Sequence, residues 1–189
     1  MIRRIFLALV VASVATLAQA QDPANTLVIE IEGNANGVVE IELLPDLAPE
    51  HVQRIKDLAQ SGAYDGVAFH RVIDGFMAQT GDVQYATRDT VGLGRAGTGG
   101  SDLPDLPAEF SAAPFLRGTV GMARAQNPNS ANSQFFIMFD EGAFLNGQYT
   151  VFGRVTSGME VVDQIQRGAG QSGVVAEPDY MKSVRLKSR

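Results

Sequence analysis

Two segments near the N-terminus alternate apolar and polar residues, as a β-strand with one buried face does. Thr26–Glu32 has the sequence TLVIEIE, and residues 38–44 have the sequence VVEIELL. The residues between them, 33–37, are glycine and asparagine apart from one alanine, and both types favour tight turns. We therefore predict an antiparallel hairpin here.

Helical spacing follows at residues 48–60, where Pro49 suits a first helical turn and Gly62 suits a stop. The apolar residues that share one face of this helix are Val52, Ile55, Leu58 and Ala59. A second, shorter pattern over residues 159–166 places three apolar residues on one face. They are Met159, Val162 and Ile165. Two helices are therefore predicted.

The remaining apolar runs are short and have the length of strands: residues 67–73, 118–123, 134–139, 150–155 and 184–186. Residues 83–117 are rich in glycine, proline and aspartate, which predicts a long surface loop, and such loops are more often functional than accidental. Short strands with only two helices predict a mainly β domain, an antiparallel barrel with helices at its ends.

The first twenty residues have the three regions of a signal peptide. Arg3 and Arg4 precede an apolar run at residues 5–17, and Ala18-Gln19-Ala20 provides a cleavage site. The run is too short for a bilayer-spanning helix, which needs about 20 residues. We expect residues 1–20 to be cleaved, leaving one exported domain of residues 21–189, periplasmic in a Gram-negative source and secreted otherwise. An uncleaved interfacial anchor is the alternative, and Sec and twin-arginine export both stay open.

Charge and cysteine content exclude several function classes. Loss of residues 1–20 takes away two positive charges, so the net charge falls from −6 to −8. An acidic domain without a basic run does not suit nucleic acid or an anionic membrane surface. Because the chain has no cysteine, thiol catalysis, zinc–thiolate sites and disulfides are excluded. We expect a monomeric domain without a membrane span after signal removal.

Three candidate chemistries fail on their context. Residues 92–97 match G-x-G-x-x-G, but the glycine- and proline-rich residues 98–104 cannot form the helix that a dinucleotide site requires. His51 and His70 are the only histidines; we expect His51 to face solvent and His70 to be a hydrogen-bonded core residue. No G-x-S-x-G elbow and no carboxylate pair within apolar residues supports a hydrolase.

One cation stands out, because Arg71 lies within a run of apolar strand residues. Burying a cation costs free energy unless it has a partner or a task. Strict alternation places Arg71 on the face of Phe69 and Ile73, opposite His70. Phe135 and Phe136 are adjacent on one strand, so one of them must leave the barrel interior. An external aromatic residue near an arginine and glutamine amides indicates a peptide-binding groove.

Three blocks now show a resemblance that covers essentially the whole chain after residue 20. FHRVIDGFMAQTGD (residues 69–82), MARAQNPNSANSQFFIMF (122–139) and FLNGQYTVFGRV (144–155) resemble, in this order, the signature segments of the cyclophilins. Tyr64-Asp65-Gly66 and residues 97–100 also fit. The cyclophilins are peptidyl-prolyl cis–trans isomerases. The resemblance implies a closed eight-stranded antiparallel barrel capped by two α-helices, and it implies no cofactor and no metal.

The resemblance also implies roles for individual residues. Arg71 matches the catalytic arginine of the family, and Gln79 and Gln134 match polar residues of its groove. The wall of the proline pocket is matched by Phe76, Met77, Phe136 and Leu145. The residues that match the binding site for the backbone before proline are Ala123, Arg124 and Ala125.

Three groove residues differ from the best-known eukaryotic members and resemble the bacterial exported ones. Phe144 stands in place of tryptophan, which argues against tight cyclosporin binding because no indole N–H is present. Tyr149 stands in place of histidine, and Arg124 in place of asparagine. We expect the cation of Arg124 to favour clients with acidic residues near proline, so that matched basic peptides react more slowly.

We therefore predict an isomerase that accelerates rotation about X–Pro bonds in unfolded or partly folded polypeptides. Its expected role is to assist the folding of exported proteins. Rotation is slow because the C–N bond has partial double-bond character, with a barrier of ~18–20 kcal/mol. The alternative is a non-catalytic proline-peptide-binding module or holdase using the same groove. An isomerase assay distinguishes the two, because a binding module gives no rate enhancement.

Overall fold

The computed structural model describes residues 22–188 as one curled antiparallel sheet with two α-helices and three short 3-10 helices. The strands are β1 (Thr26–Glu32), β2 (Gly37–Leu43), β3 (Val67–Ala68), β4 (Arg71–Ile73), β5 (Met77–Thr80), β6 (Thr119–Met122), β7 (Phe135–Met138), β8 (Val151–Ser157) and β9 (Tyr180–Leu186). The helices are α1 (Pro49–Gln60) and α2 (Met159–Val162). The 3-10 helices are Pro23–Asn25, Val91–Leu93 and Ala143–Leu145.

The mainly β architecture is confirmed, with a difference in how the strands are counted. The order in the sheet is β3-β9-β1-β2-β8-β6-β7-β5-β4, nine strands rather than the eight expected. Its first and last strands, β3 and β4, are separated in the chain only by Phe69 and His70. The sheet therefore curls until its two ends are successive segments of one extended stretch, and counting that stretch as one interrupted strand gives eight.

The break at Phe69 and His70 overturns the expected alternation. Phe69 is fully buried in the barrel core together with Val72, whereas Arg71 between them is only half-buried. Phe69 and Arg71 thus do not share a face, because the strand changes phase where it leaves β9 and joins β5. This change of phase directs the arginine away from the core.

The helix α1 is confirmed, and α2 is shorter than predicted. The expected helix over residues 159–166 ends at Val162, and the chain continues in tighter turns in which Ile165 N donates to Val162 O at 3.1 Å. Val162 and Ile165 are still buried. A spacing of three residues fits a 3-10 turn as well as an α-helix, so the apolar pattern alone could not separate them. None of the helices within residues 22–188 is long and apolar enough to cross a bilayer, and the predicted signal peptide lies outside that range.

His51 is fully buried, so the expectation that it faces solvent is wrong. Its Nδ1 lies 2.6 Å from Oε2 of Glu109, which belongs to the long loop after β5. The same carboxylate accepts hydrogen bonds from the backbone N–H of Glu50 (3.2 Å) and of His51 (3.0 Å). Ala48 at the N-cap has no side-chain acceptor. Glu109 therefore caps α1 from outside the helix.

We expect Glu109→Gln to destabilise the fold by about 1–2 kcal/mol, because the substitution removes the ionised acceptor that caps the N–H groups of Glu50 and His51 at the start of α1. Burial opposes ionisation, but the bonds from His51 and Glu50 outweigh it and lower the pKa of Glu109. A lowered pKa means that this stabilisation is present above the carboxylate's unfolded pKa and is lost as the pH falls. Urea unfolding at several pH values measures it. Glu50→Gln is the control: it removes an exposed charge from the same helical turn, and an equal loss would contradict the capping role.

The hydrophobic residues form two clusters. The larger one is the barrel core and includes Phe135, which is fully buried. The smaller one joins Met77, Phe115, Phe136, Met138, Leu145 and Val151. Phe135 and Phe136 thus pack into different clusters, as the alternation along β7 predicts. The smaller cluster forms the floor of the site described next.

Candidate active site

A pocket of about 270 Å³, here called the apolar pocket, opens over the smaller cluster. Its lining residues are Arg71, Phe76, Met77, Gln79, Ala123, Arg124, Phe136, Phe144, Leu145 and Tyr149. Every one of them is among the site residues expected from the sequence. They come from β4, β5, β7, the 3-10 helix Ala143–Leu145 and the segments that join these elements.

Aromatic contacts hold the pocket's shape. Phe136 is 5 % exposed and stacks on Phe115, with ring centroids 5.7 Å apart and planes at 22°. Tyr149 meets Phe136 edge to face at 5.9 Å. Phe144 is 65 % exposed and packs against Phe76 at 5.4 Å. Phe115 could not be selected from the sequence, because it lies in the irregular loop where no periodicity marks a buried face.

Arg71 is held by two hydrogen bonds. Its Nε donates to the carbonyl oxygen of Ser172 at 3.0 Å, and its Nη1 donates to Oε1 of Gln79 at 3.1 Å. Ser172 belongs to a glycine-rich loop whose Gly173 O accepts from Val72 N at 2.7 Å. A backbone carbonyl leaves no signal in a sequence, so this partner was not predicted. The guanidinium is thereby aimed before any ligand binds.

The bond to Gln79 is the first of a directed series. Gln79 Nε2 donates to Oε1 of Gln134 at 2.9 Å, and Gln134 Nε2 donates to the carbonyl oxygen of Gly99 at 2.8 Å. An arginine can only donate and a carbonyl can only accept, so both amides have one orientation that satisfies the series. The orientation of Arg71 therefore depends on both glutamines.

The buried carboxylate of Asp82 fixes the far end of this series. Its Oδ2 accepts hydrogen bonds from the N–H groups of Gly97 (2.7 Å) and Gly99 (3.0 Å), and its Oδ1 accepts those of Gln84 and Tyr85. The carbonyl that receives Gln134 belongs to the same Gly99. Asp82 was not among the expected site residues, because its role depends on loop backbone that alternation cannot place.

A second, more polar pocket of about 400 Å³ adjoins the first and shares Gln79, Ala123 and Arg124 with it. The two remaining expected site residues, Ala125 and Gln134, line this polar pocket. Its other lining residues were not predicted: residues 97–101, Asp105, Ser130 and Asn132. The structure therefore brings all the expected residues into one continuous groove.

Arg124 separates the two pockets, and its side chain is already engaged. Nη1 donates to the carbonyl of Ala125 at 2.9 Å, Nη2 donates to that of Gln148 at 3.0 Å, and the guanidinium lies 4.4 Å from the centre of the Tyr149 ring. A client carboxylate would compete with these carbonyls. The expected preference for acidic clients stays a prediction, and these contacts limit it to the long-range attraction of the charge.

His70 is buried at 5 % exposure, yet neither ring nitrogen has a hydrogen-bond partner within residues 22–188. The burial was expected, and the hydrogen bonds were not found. His70 also borders a pocket together with Arg71, so the two side chains are not separated onto opposite faces. Burial lowers the pKa of His70, and the nearby carboxylate of Asp82 opposes this without reversing it.

Because the pKa of His70 is lowered in the folded state, we expect the stability of the fold to depend on pH. Below pH ~6.5 the unfolded chain binds more protons at this histidine than the folded chain does, so stability falls as the pH drops, by at most about 1.4 kcal/mol per pH unit. We expect the unfolding free energy of wild type, relative to His70→Gln, to decline as the pH drops from 7 toward 5. Urea titrations at matched pH values measure it. A difference that does not change with pH would contradict the prediction.

Comparison with protein families gives a match over most of the chain. Residues 26–186 match the family described as cyclophilin-type peptidyl-prolyl cis-trans isomerase. A probable peptidyl-prolyl cis-trans isomerase of Brucella suis is 61 % identical over 185 residues, covering 97 % of this chain and 92 % of the relative. Peptidyl-prolyl cis-trans isomerase B of Bacillus subtilis is 37 % identical and covers 79 % and 90 %.

Solved structures agree with this match. A cyclophilin from Hirschia baltica superposes with a TM-score of 0.74 at 29 % identity, covering 89 % of this chain and 76 % of that one. A cyclophilin-type isomerase from Cryptosporidium parvum, crystallised in the presence of the dipeptide Ala-Pro, has a TM-score of 0.74 at 26 % identity and covers 87 % and 99 %. The chain therefore belongs to the cyclophilin family and is a peptidyl-prolyl cis–trans isomerase.

Proposed function

We propose that Arg71 is the catalytic residue and that the apolar pocket holds the proline ring. One observation carries this proposal: a half-buried guanidinium is held by Ser172 and Gln79 beside an apolar pocket. Those two bonds use Nε and one N–H of Nη1. Within the hydrogen bonds of residues 22–188, Nη2 has no acceptor and is free to donate to a ligand.

Arginine chemistry fits the reaction. At the twisted transition state the amide conjugation is broken, and the prolyl nitrogen gains an available lone pair that the planar ground state lacks. A hydrogen bond from Arg71 to that nitrogen is strong only in the transition state, and only such differential binding lowers the barrier. Because the guanidinium is oriented in advance, it loses little freedom when the bond forms. Rotation breaks no covalent bond, so this step requires only binding and hydrogen bonding.

The groove fits the client on both sides of the rotating bond. The aromatic and aliphatic walls at Phe76, Met77, Phe136 and Leu145 suit a proline ring and keep water from it. The backbone of residues 123–125 is proposed to hold the residue before proline, while Phe144 and Tyr149 cover the rim. Holding one side while the other rotates is what the reaction requires.

NMR titration with a short peptide containing Ala-Pro tests this assignment. We expect the largest amide shifts at residues 71–79, 122–125, 134–136 and 144–149. The amides of α1 serve as the internal control and are expected to shift little. Shifts centred on α1 or on the β1–β2 hairpin would contradict the assignment.

We further infer that the enzyme is exported and assists the folding of exported proteins as a monomer. The support is the signal-like order of residues 1–20: two arginines, an apolar run and Ala18-Gln19-Ala20. The protein purified from the periplasmic or extracellular fraction is expected to begin at Gln21. Recovery of a chain that retains residues 1–20, in the cytosol or on the membrane, would contradict cleavage and export.

A further inference from the structure

A third pocket of about 320 Å³, here called the flanking pocket, also borders Arg71 and Gln79. It shares neither Phe76, Met77 nor Phe136 with the apolar pocket. Its other lining residues are His70, Val91, Gly94, Ala96, Gly97, Thr98, Val174 and Val175. The apolar and flanking pockets therefore meet at the proposed catalytic arginine and its glutamine partner.

Two loops form the apolar sides of the flanking pocket. One is the loop after β5, which contributes Val91 and Ala96 and is fastened at Gly97 by the carboxylate of Asp82. The other contributes Val174 and Val175 and is fastened to the strand that carries Arg71, because Val175 N donates to His70 O at 3.1 Å. Both sides are thus held by hydrogen bonds from their backbone N–H groups to buried residues, Asp82 on one side and His70 on the other.

Val174 is 62 % exposed although its backbone is tied down on both sides. Val174 forms isolated β-bridges with Arg71 and with Ala169, whose N–H donates to Val174 O at 3.1 Å. A β-branched side chain has few rotamers to lose, so binding against it costs little conformational entropy. A stiff, exposed apolar residue beside a catalytic group suits contact with a ligand.

The lining of the flanking pocket sets the chemistry of its occupant. Of its ten lining residues among those that the structure describes, six are apolar residues or glycines on the two loops, and none is a carboxylate. The cation of Arg71 disfavours a lysine or arginine side chain, and no lining acid would compensate it. Within residues 22–188 the ring nitrogens of His70 have no hydrogen-bond partner that an apolar occupant would displace. A branched aliphatic side chain satisfies these conditions.

The flanking pocket adjoins the proposed site at Arg71, so a client bound at that site can supply the side chain. An extended chain advances about 3.3 Å per residue. A client whose proline occupies the apolar pocket therefore passes the other side of Arg71 within a few residues. We propose that the flanking pocket is a specificity subsite that binds a branched aliphatic side chain of the client, one to three residues from the proline. This subsite rests on the proposed function, because it presumes that clients bind at Arg71.

A peptide series tests the subsite. Each position from three residues before to three residues after the proline is set to Leu, Ala or Lys in turn, and kcat/KM is measured for isomerisation. At one position we expect Leu to exceed Ala by about fivefold and Lys to fall below Ala, since one apolar side chain in a partly open pocket gives a small discrimination. The preference for Leu is expected to appear as a lower KM rather than a higher kcat, because the contact exists in both the ground state and the transition state.

Substitutions then show whether the preference for Leu arises at the flanking pocket. Val174→Ser is expected to reduce the Leu-to-Ala ratio to less than twofold, and Val174→Ala to reduce it in part. Leu93→Ser is the matched control: Leu93 is 67 % exposed on the neighbouring loop and does not line the pocket. The Leu-to-Ala ratio of Leu93→Ser is expected to equal that of wild type. Thermal unfolding checks that each variant is folded.

Two outcomes would overturn the subsite: a Leu-to-Ala ratio near one at all positions in wild type, or an equal effect of Val174→Ser and Leu93→Ser. Failure of the proposed catalytic site gives a different result, since Arg71→Ala would then retain wild-type turnover on every peptide. An active wild type without the Leu preference removes the subsite alone.

Discussion

Arg71→Ala is expected to lower kcat/KM for isomerisation by about 10²–10³-fold without unfolding the protein. Removal of one preorganised donor from a developing charge costs about this much in other enzymes. The loss is expected in kcat rather than KM, because the interaction with the prolyl nitrogen exists only in the transition state. Arg71 is half-buried outside both hydrophobic clusters, so its truncation removes little packing.

Two further variants separate geometry from charge. Arg71→Lys keeps the positive charge, but its three N–H donors diverge from one nitrogen and do not reproduce the planar array that reaches Ser172 and Gln79 and also faces the client, so we expect at least a tenfold loss. Arg154→Ala removes an exposed arginine that pairs with Glu42 on the β2–β8 side of the sheet, and we expect no change in activity. A protease-coupled assay with a proline peptide measures all three. Turnover close to wild type in Arg71→Ala would refute the assignment.

Gln79→Ala is expected to lower kcat by about 10–50-fold, because it breaks the hydrogen-bond series at the residue that holds Arg71. The guanidinium would keep its bond to Ser172 but could rotate about it, and small misplacements of a catalytic group are costly. Gln53→Ala is the control, since Gln53 is exposed on α1 and its side chain donates to Asp57, away from the site. Its kcat is expected to equal that of wild type.

The double variant shows whether Gln79 acts through Arg71. If Gln79 is a positioning residue, its substitution in an Arg71→Ala background should lower kcat less than twofold further. Residues that act as one unit give such non-additive losses. Fully multiplicative losses would mean that Gln79 contributes to catalysis independently, and would contradict the positioning role.

Much of the fold was predictable because its strands alternate clearly. β1, β2, β6, β7 and β8 all lie where the apolar pattern placed them, within a few residues. The exceptions have local physical causes. The break at Phe69 and His70 changes the strand's phase, and a period-two pattern continues straight through such a break. The three-residue spacing in α2 does not distinguish an α-helix from a 3-10 turn.

The residues of the site likewise separate into those that could be predicted from the sequence and those that could not. Side chains on strands, such as Arg71, Gln79 and Phe136, could be selected from the sequence and its resemblance to a family. The partners that orient them could not. Ser172 acts through a backbone carbonyl, and Asp82 acts on loop N–H groups. The buried ring of His51 contacts a carboxylate 58 residues away in the chain. Such long-range pairings leave no local pattern.

Exchange of a bound peptide, measured by NMR under saturating enzyme, tests the central claim most directly. The measurement yields the cis–trans interconversion rate on the enzyme and, by titration, the peptide's Kd. If Arg71 stabilises the twisted amide, Arg71→Ala should change Kd by less than about threefold and slow the on-enzyme exchange by at least about 100-fold. An unchanged exchange rate together with a raised Kd would show that Arg71 only binds the client, and would contradict the account.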